Sequence, residues 1–145
     1  MSKKSFLPIL RELVRCYQAF ETLSSRHVRT LGLTPSQFDL IATLGNTDGM
    51  SFKELGERTL ITKGTLTGVV DRLAAKKLVR RIDSPTDGRS QIVQLTAKGV
   101  AMFEQVFPAH LEHLRPAFAS LDAKQMAQTE EVLMRLRRAF SGEPT

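Results

Sequence analysis

The sequence predicts a mainly α-helical fold with one small β-hairpin. Apolar residues recur every three or four positions along most of the chain, which is the spacing of one buried helix face. One segment departs from this spacing: VRRIDSPTDGRSQIVQLT, at 79–96, has two extended arms around a Pro and an Asp-Gly pair. The 145 residues are enough for one domain, or one domain and an arm, with a substantial core.

The first helix is predicted over about 4–30. Its apolar stripe consists of Phe6, Leu10, Leu13, Tyr17, Phe20 and Leu23. Cys16 has apolar neighbours, so we expect it to be buried rather than to act as a redox sensor. It is the only cysteine, which excludes an intrachain disulfide and suits a reducing compartment.

Capping residues mark the starts of five further helices. Three are expected to form capping boxes, namely Thr34–Gln37, Ser51–Glu54 and Asp122–Gln125, and two more caps are expected at Thr62 and Thr96. The helix after Thr62 should run to about Lys77. Pro108 should kink or split the helix after Thr96, because proline lacks an amide N–H and clashes with the preceding turn.

The net charge of +6, from 21 basic and 15 acidic residues, favours an anionic partner, either nucleic acid or a membrane face. The excess is local: residues 51–91 hold nine Lys or Arg against five acids, whereas 110–145 balance to zero. The sequence has neither a signal-peptide pattern nor an apolar run of membrane-span length, so we expect a cytoplasmic location.

The helix from 62 to 77 is the first candidate contact surface. Its outer face carries Lys63, Gly64, Thr67, Gly68 and Asp71, with Thr65 and Arg72 on the flanks. A short helix and a turn precede it, which predicts a helix-turn-helix whose second helix enters the DNA major groove. The alternative is an ordinary amphipathic surface helix.

The hairpin favours the DNA interpretation. Arg80 and Arg81 lie on its first arm and Arg89 at its tip, where Arg89 would contact phosphate or the minor groove. The alternative is that Asp83 and Asp87 pair with these arginines and stiffen the turn. Both arrangements are compatible if Asp87 fixes the loop and Arg89 is left for DNA.

The segment from ITKGTLTGVVDRLAAKKLVRR through DSPTDGRSQIVQLTAKG resembles the winged helix-turn-helix of the MarR transcription regulators. The specific part is Asp87-x-Arg89 followed by Leu95-Thr96-x-x-Gly99, and LTPSQFDLIATL at 33–44 resembles the family's second helix. Two departures are Lys77, where a helix-ending glycine is common, and Gly88, where a second arginine is common.

The resemblance implies an obligate homodimer that binds a pseudo-palindromic double-stranded DNA operator, with half-sites about 34 Å apart. It implies a dimerisation helix at 1–33, a winged helix-turn-helix DNA-binding lobe at 34–96, and C-terminal dimerisation helices at 97–145. Release by a small phenolic or carboxylate effector would make the protein a repressor. Arg15 and Gln18 are candidate effector contacts, and for Arg15 the alternative is a solvated or interface arginine.

Other functions have less support. Gly64, Gly68 and Gly88 thin the contact surface, which leaves open a protein-interaction module or anti-regulator with the same fold and little DNA affinity. His110 and His113 have a spacing that can hold zinc, but further ligands are distant in sequence, so neither a metal nor a cofactor is expected. The sequence has no nucleophile elbow, phosphate loop or carboxylate pair of an enzyme.

Overall fold

A computed structural model describes residues 5–143 and confirms the predicted fold class. The helices are α1 (Leu7–Thr30), α2 (Pro35–Leu44), α3 (Phe52–Arg58), α4 (Lys63–Ala75), α5 (Ala97–Leu114) and α6 (Ala123–Ser141). The strands are β1 (Met50–Ser51), β2 (Val79–Asp83) and β3 (Gln91–Leu95), and a 3₁₀ turn covers Arg115–Phe118. The chain divides between Leu111 and Glu112 into two compact units.

The hydrophobic core lies in the first unit. Every element from α1 to α5 contributes to it, with Leu40, Ile41, Leu55, Val70, Leu73 and Val93 completely inaccessible to solvent. This core holds α2, α3, α4 and the sheet together, and it therefore determines which sides of α4 and of the hairpin remain outside.

Two of the three capping boxes form as predicted. Thr34 Oγ1 accepts from the Gln37 amide at 3.2 Å, and Gln37 Oε1 accepts from the Thr34 amide at 3.1 Å. Asp122 and Gln125 make the same reciprocal pair at 2.8 and 3.0 Å. Each pair provides partners for two amides, one of them at an open helix N-terminus, so these helix starts are set locally.

The remaining caps differ in part from expectation. Ser51 Oγ accepts from the Glu54 amide at 3.1 Å, and its hydroxyl lies 3.4 Å from the Glu54 carboxylate. Thr62 occupies the N-cap position of α4, but its side chain makes no capping bond, so this prediction was wrong. Its hydroxyl instead lies 2.9 Å from that of Thr65.

Pro108 does not split α5, which runs unbroken from Ala97 to Leu114. Proline removes one backbone hydrogen bond, but Phe103, Val106 and His110 are buried along the same helix on both sides of it. The burial of this face holds the helix together across the proline.

The sheet has a third strand that the sequence did not predict. Its order is β1-β3-β2 and both pairings are antiparallel, with Met50 opposite Val93 and Arg81 also opposite Val93 from the other side. A two-residue strand is too short for any alternation of polar and apolar residues to show. Through β1 the hairpin is tied to the start of α3.

Lys77 takes the left-handed conformation that glycine favours, with φ of 62°. The Lys77 amide bonds to the Ala74 carbonyl and the Leu78 amide to the Leu73 carbonyl, both at 2.9 Å. This bond pair is a Schellman motif, which ends α4 and turns the chain into β2. The turn therefore closes as it would with glycine, despite the lysine.

Gly99 lets α5 approach the start of β2. A Cβ at this position would lie 2.0 Å from the Leu78 carbonyl oxygen. Thr96 Oγ1 accepts from the Gly99 amide at 3.0 Å and donates to the Lys77 carbonyl at 2.7 Å. The Thr-x-x-Gly pattern thus fastens α5 to the end of α4.

Asp39 of α2 holds the turn between α3 and α4. Its Oδ2 accepts from the Leu60 amide at 2.7 Å. Burial raises the pKa of the Asp39 carboxyl above its ordinary value, and hydrogen bonds from Leu60 and Thr43 offset only part of that effect. The turn is thereby fixed to the core by a partly desolvated carboxylate.

The outward sides of α1 and α6 are unusually apolar. Of α1 only Val28 is buried, and its exposed residues include Ile9, Leu10, Val14, Tyr17 and Phe20. Cys16 is exposed on this helix, so the prediction that it is buried was wrong. None of the helices described between residues 5 and 143 combines the length and apolarity needed to cross a membrane.

We predict that Lys77→Gly raises the free energy of unfolding by about 1 kcal/mol, because it relieves the left-handed strain of a residue with a Cβ. Urea unfolding measures this value. Lys76→Gly is the matched control, since Lys76 has φ of −79°. It should lower the free energy by up to about 1 kcal/mol. Equal effects of the two variants would contradict the left-handed turn.

We predict a pH signature for Asp39. Its raised pKa means that the folded chain binds more protons than the unfolded chain just above pH 3.8, the ordinary value. This difference in proton binding therefore lowers the free energy of unfolding as the pH rises from that value through the raised pKa. Asp39→Asn removes this pH dependence but keeps a hydrogen-bond acceptor for the Leu60 amide. Urea unfolding at several pH values measures the free energy of unfolding of both proteins. The same pH dependence in both would contradict the assignment.

Candidate nucleic-acid interface

The candidate surface is the outer side of α4, whose inner side is fixed by the core. Leu66, Val69, Val70 and Leu73 are buried, each at 3% exposure or less. The predicted contact residues lie on the other side: Lys63, Gly64, Thr65, Thr67 and Arg72 are exposed and Gly68 is partly buried. The structure thus places all six on one helix, and all of them except Arg72 lie in its first two turns.

The fold does not require the two glycines of this surface. A Cβ added at Gly64 or Gly68 would meet no atom within 4 Å. A glycine inside a helix costs about 0.5–1 kcal/mol relative to alanine, and nothing in the described structure offsets that cost. The first turns of α4 therefore present bare backbone to the outside, which suits close approach to another molecule.

The hairpin tip is organised by hydrogen bonds within its own loop. Asp87 Oδ1 accepts from the Arg89 amide at 3.0 Å, and Ser90 donates its amide to the Asp87 carbonyl at 3.1 Å. Asp87 thus fixes the loop without pairing with the Arg89 guanidinium, which is exposed. Within residues 5–143, Lys63, Arg72 and Arg89 form no ion pair with an acid.

The other two hairpin arginines contact side chains of the protein. Arg80 donates through Nε to Gln94 Oε1 at 2.6 Å. Arg81 pairs with Asp71 of α4, not with Asp83 or Asp87. The sequence alone could not show this pair, because it joins two elements whose relative placement depends on the core.

The candidate effector residues Arg15 and Gln18 lie three positions apart on α1. Arg15 makes an exposed ion pair with Glu12 at 3.8 Å. Gln18 lines a shallow polar depression on α1, together with Glu21, Thr22, Ser25, Arg26 and Arg29. Arg15 does not line this depression.

A buried polar cluster was missed by sequence reasoning. His110 of α5 is 3% exposed, and its Nδ1 lies 2.9 Å from Nδ1 of His27 on α1. Its Nε2 lies 3.0 Å from Ser24 Oγ, and Phe38 packs edge-on against its ring. The two histidines are 83 positions apart, so only the fold brings them together.

Comparison with known proteins agrees with this geometry. The MarR family model matches residues 31–90, which span α2 through the hairpin tip. The transcriptional regulator MhqR of Bacillus subtilis is 29% identical over 136 residues, or 94% of this chain and 93% of the relative. The transcriptional repressor NicR of Pseudomonas putida is 30% identical over 111 residues, or 77% and 70%.

A solved structure agrees over nearly the same length. BpsR of Bordetella bronchiseptica, solved in work on the regulation of its DNA binding by 6-hydroxynicotinic acid, matches with a TM-score of 0.77 and 25% identity. The match covers 90% of this chain and 98% of that one. The chain therefore belongs to the MarR family, and it is a winged helix-turn-helix DNA-binding transcriptional regulator.

Proposed function

We propose that the chain acts as a homodimeric repressor, which binds a pseudo-palindromic operator and is released by a small aromatic or carboxylate effector. The lobe at 34–96 is the DNA-binding part in this proposal. The helices at 1–33 and 97–145 serve dimerisation, although Val28 of α1 and Phe103 and Val106 of α5 also pack into the core of the lobe.

The observation that carries the DNA part is the open first half of α4. Its backbone is bare at Gly64 and Gly68, and the hydroxyl of Thr67 and the ammonium of Lys63 lie on the same exposed side. Helix N-termini attract phosphate, and short side chains let a helix approach base edges in the major groove. Arg89 then supplies the cation for phosphate or the minor groove.

Dimerisation is supported by the apolar exposed surface. Leu10, Val14 and Tyr17 of α1 are 41–51% exposed, and Val132 and Leu133 of α6 are about half exposed. Exposed apolar patches on a folded chain mark protein contacts. A second copy is the occupant that a two-fold symmetric operator requires.

The effector part comes from the relatives. NicR is named a repressor, and the DNA binding of BpsR is regulated by 6-hydroxynicotinic acid, an aromatic carboxylate. Release follows if the effector binds better to a dimer whose two lobes are wrongly spaced for the operator. Arg15 and Gln18 remain our candidates for its contacts.

A titration tests the DNA part. The purified protein is added to DNA from upstream of its own gene and to a scrambled duplex, at two salt concentrations. We expect tighter, salt-dependent binding to the first duplex. If neither this DNA nor a selection from random duplexes yields a preferred sequence, the interaction module suggested by Gly64, Gly68 and Gly88 becomes the better interpretation.

Arg89→Ala should weaken binding to preferred and scrambled DNA alike. Loss of one phosphate contact lowers the slope of log affinity against log salt by about one. Binding titrations at several salt concentrations give the slope. Glu130→Ala, far from the lobe in sequence, is the control for substitution in general. An unchanged slope in Arg89→Ala would remove Arg89 from the interface.

Thr67→Ala should change sequence preference rather than overall affinity. If Thr67 contacts a base edge, discrimination at one base position changes by about 1–3 kcal/mol. Competition among operators with single base changes measures this difference. Equal losses on operator and scrambled DNA would show that Thr67 does not read a base.

Leu10→Glu should raise the dimer dissociation constant by at least about tenfold, since it puts a charge into an apolar interface. Sedimentation analysis measures the constant. Ala19→Glu is the control, because Ala19 is exposed and nine residues later, which places it on the opposite side of α1. Dimerisation weakened equally by both variants would contradict the proposed interface.

A further inference from the structure

Arg81 lies where the hairpin, α3 and α4 meet. Its guanidinium pairs with the Asp71 carboxylate on α4. The same guanidinium lies over the ring of Phe52, the first residue of α3, with Cζ 5.3 Å from the ring centroid. A planar guanidinium can bind a carboxylate at its edge while its face stacks on an aromatic ring. One side chain of β2 therefore contacts both helices of the helix-turn-helix.

These contacts give Arg81 a different environment from Arg89. The Arg81 side chain is 32% exposed and engaged on two sides, whereas the Arg89 side chain is exposed at the tip and pairs with no acid within the described chain. Arg81 lies opposite Val93, near the middle of the β2–β3 ladder. A contact at that point restrains the rotation of the whole hairpin against α4, including the tip beyond it.

We propose that Arg81 is a positioning residue for DNA binding: through Asp71 and Phe52 it fixes the hairpin against α4, so that Arg89 and the first turns of α4 engage one duplex together. This inference rests on the DNA-binding function proposed above. Arg81 itself makes no contact with DNA in this arrangement.

Asp71→Asn separates this role from direct phosphate binding, because the two predict opposite signs. If Arg81 bound phosphate, removal of the competing acid would free its charge and tighten DNA binding. If Arg81 positions the hairpin, the same substitution loosens the hairpin. Affinity for preferred DNA should then fall by about tenfold, although the protein has lost a negative charge.

The decisive measurement is the effect of Arg89→Ala in the wild-type and Asp71→Asn backgrounds. In the wild type it should lower the salt slope by about one. In Asp71→Asn that contact is already lost, so Arg89→Ala should have no further effect on the slope. Mere destabilisation would not produce this dependence, since it lowers the folded fraction and leaves the slope of the folded protein unchanged.

Asp83→Asn is the matched control. Asp83 is an exposed acid of β2, the strand that carries Arg81, and it forms no ion pair within residues 5–143. Its substitution removes the same charge, and Arg89→Ala should still lower the slope by about one in this background. Urea unfolding of every variant confirms that the titrations compare folded proteins.

Each outcome has one meaning. Tighter binding of Asp71→Asn, or a full Arg89 effect in that background, overturns the positioning role and leaves the DNA-binding function intact. If the wild type binds no DNA sequence preferentially, the proposed function fails and the positioning role fails with it. The inference is supported only if Asp71→Asn binds DNA more weakly and Arg89→Ala has no effect on the salt slope in that background.

Discussion

The burial of one side of α4 determines which residues of the helix-turn-helix can face DNA. Val70 and Leu73 are completely inaccessible, and Leu66 and Val69 nearly so, which leaves the helix no freedom to rotate about its axis. The opposite side must then face outward with Lys63 and Thr67 at its start. Contacts from other elements hold the turns that flank the helix: Asp39 accepts a hydrogen bond from the turn before it, and Gly99 packs against the turn after it.

Charge on the hairpin is divided between holding the fold and facing outward. Three arginines lie within ten residues, but Arg80 and Arg81 are engaged with Gln94 and Asp71. Arg89 is exposed at the tip and forms no ion pair with an acid of the described structure. The number of arginines in a segment therefore does not give its number of phosphate contacts, because an arginine also binds carboxylates, amides and aromatic rings.

Local signals predicted what local chemistry determines. The Thr34–Gln37 and Asp122–Gln125 boxes, the placement of α4 and the hairpin turn all depend on residues a few positions apart, and they formed as expected. The two-residue strand β1, the His27–His110 pair and the Arg81–Asp71 pair join distant segments, so no local pattern indicates them. Pro108 and Lys77 break local rules, and burial or hydrogen bonding elsewhere stabilises both. Cys16 was misjudged because its apolar neighbours on α1 predict a covered helix face, whereas the described chain leaves Cys16 exposed.

The most direct test of two-fold symmetric DNA binding by this protein is a hydroxyl-radical footprint of the wild type on its preferred duplex. We expect two protected clusters related by two-fold symmetry, about 34 Å or one helical turn apart, each with protection in the adjacent minor groove where the hairpin tip lies. Uniform weak protection along the duplex, or one cluster without a symmetric mate, would contradict binding of this kind.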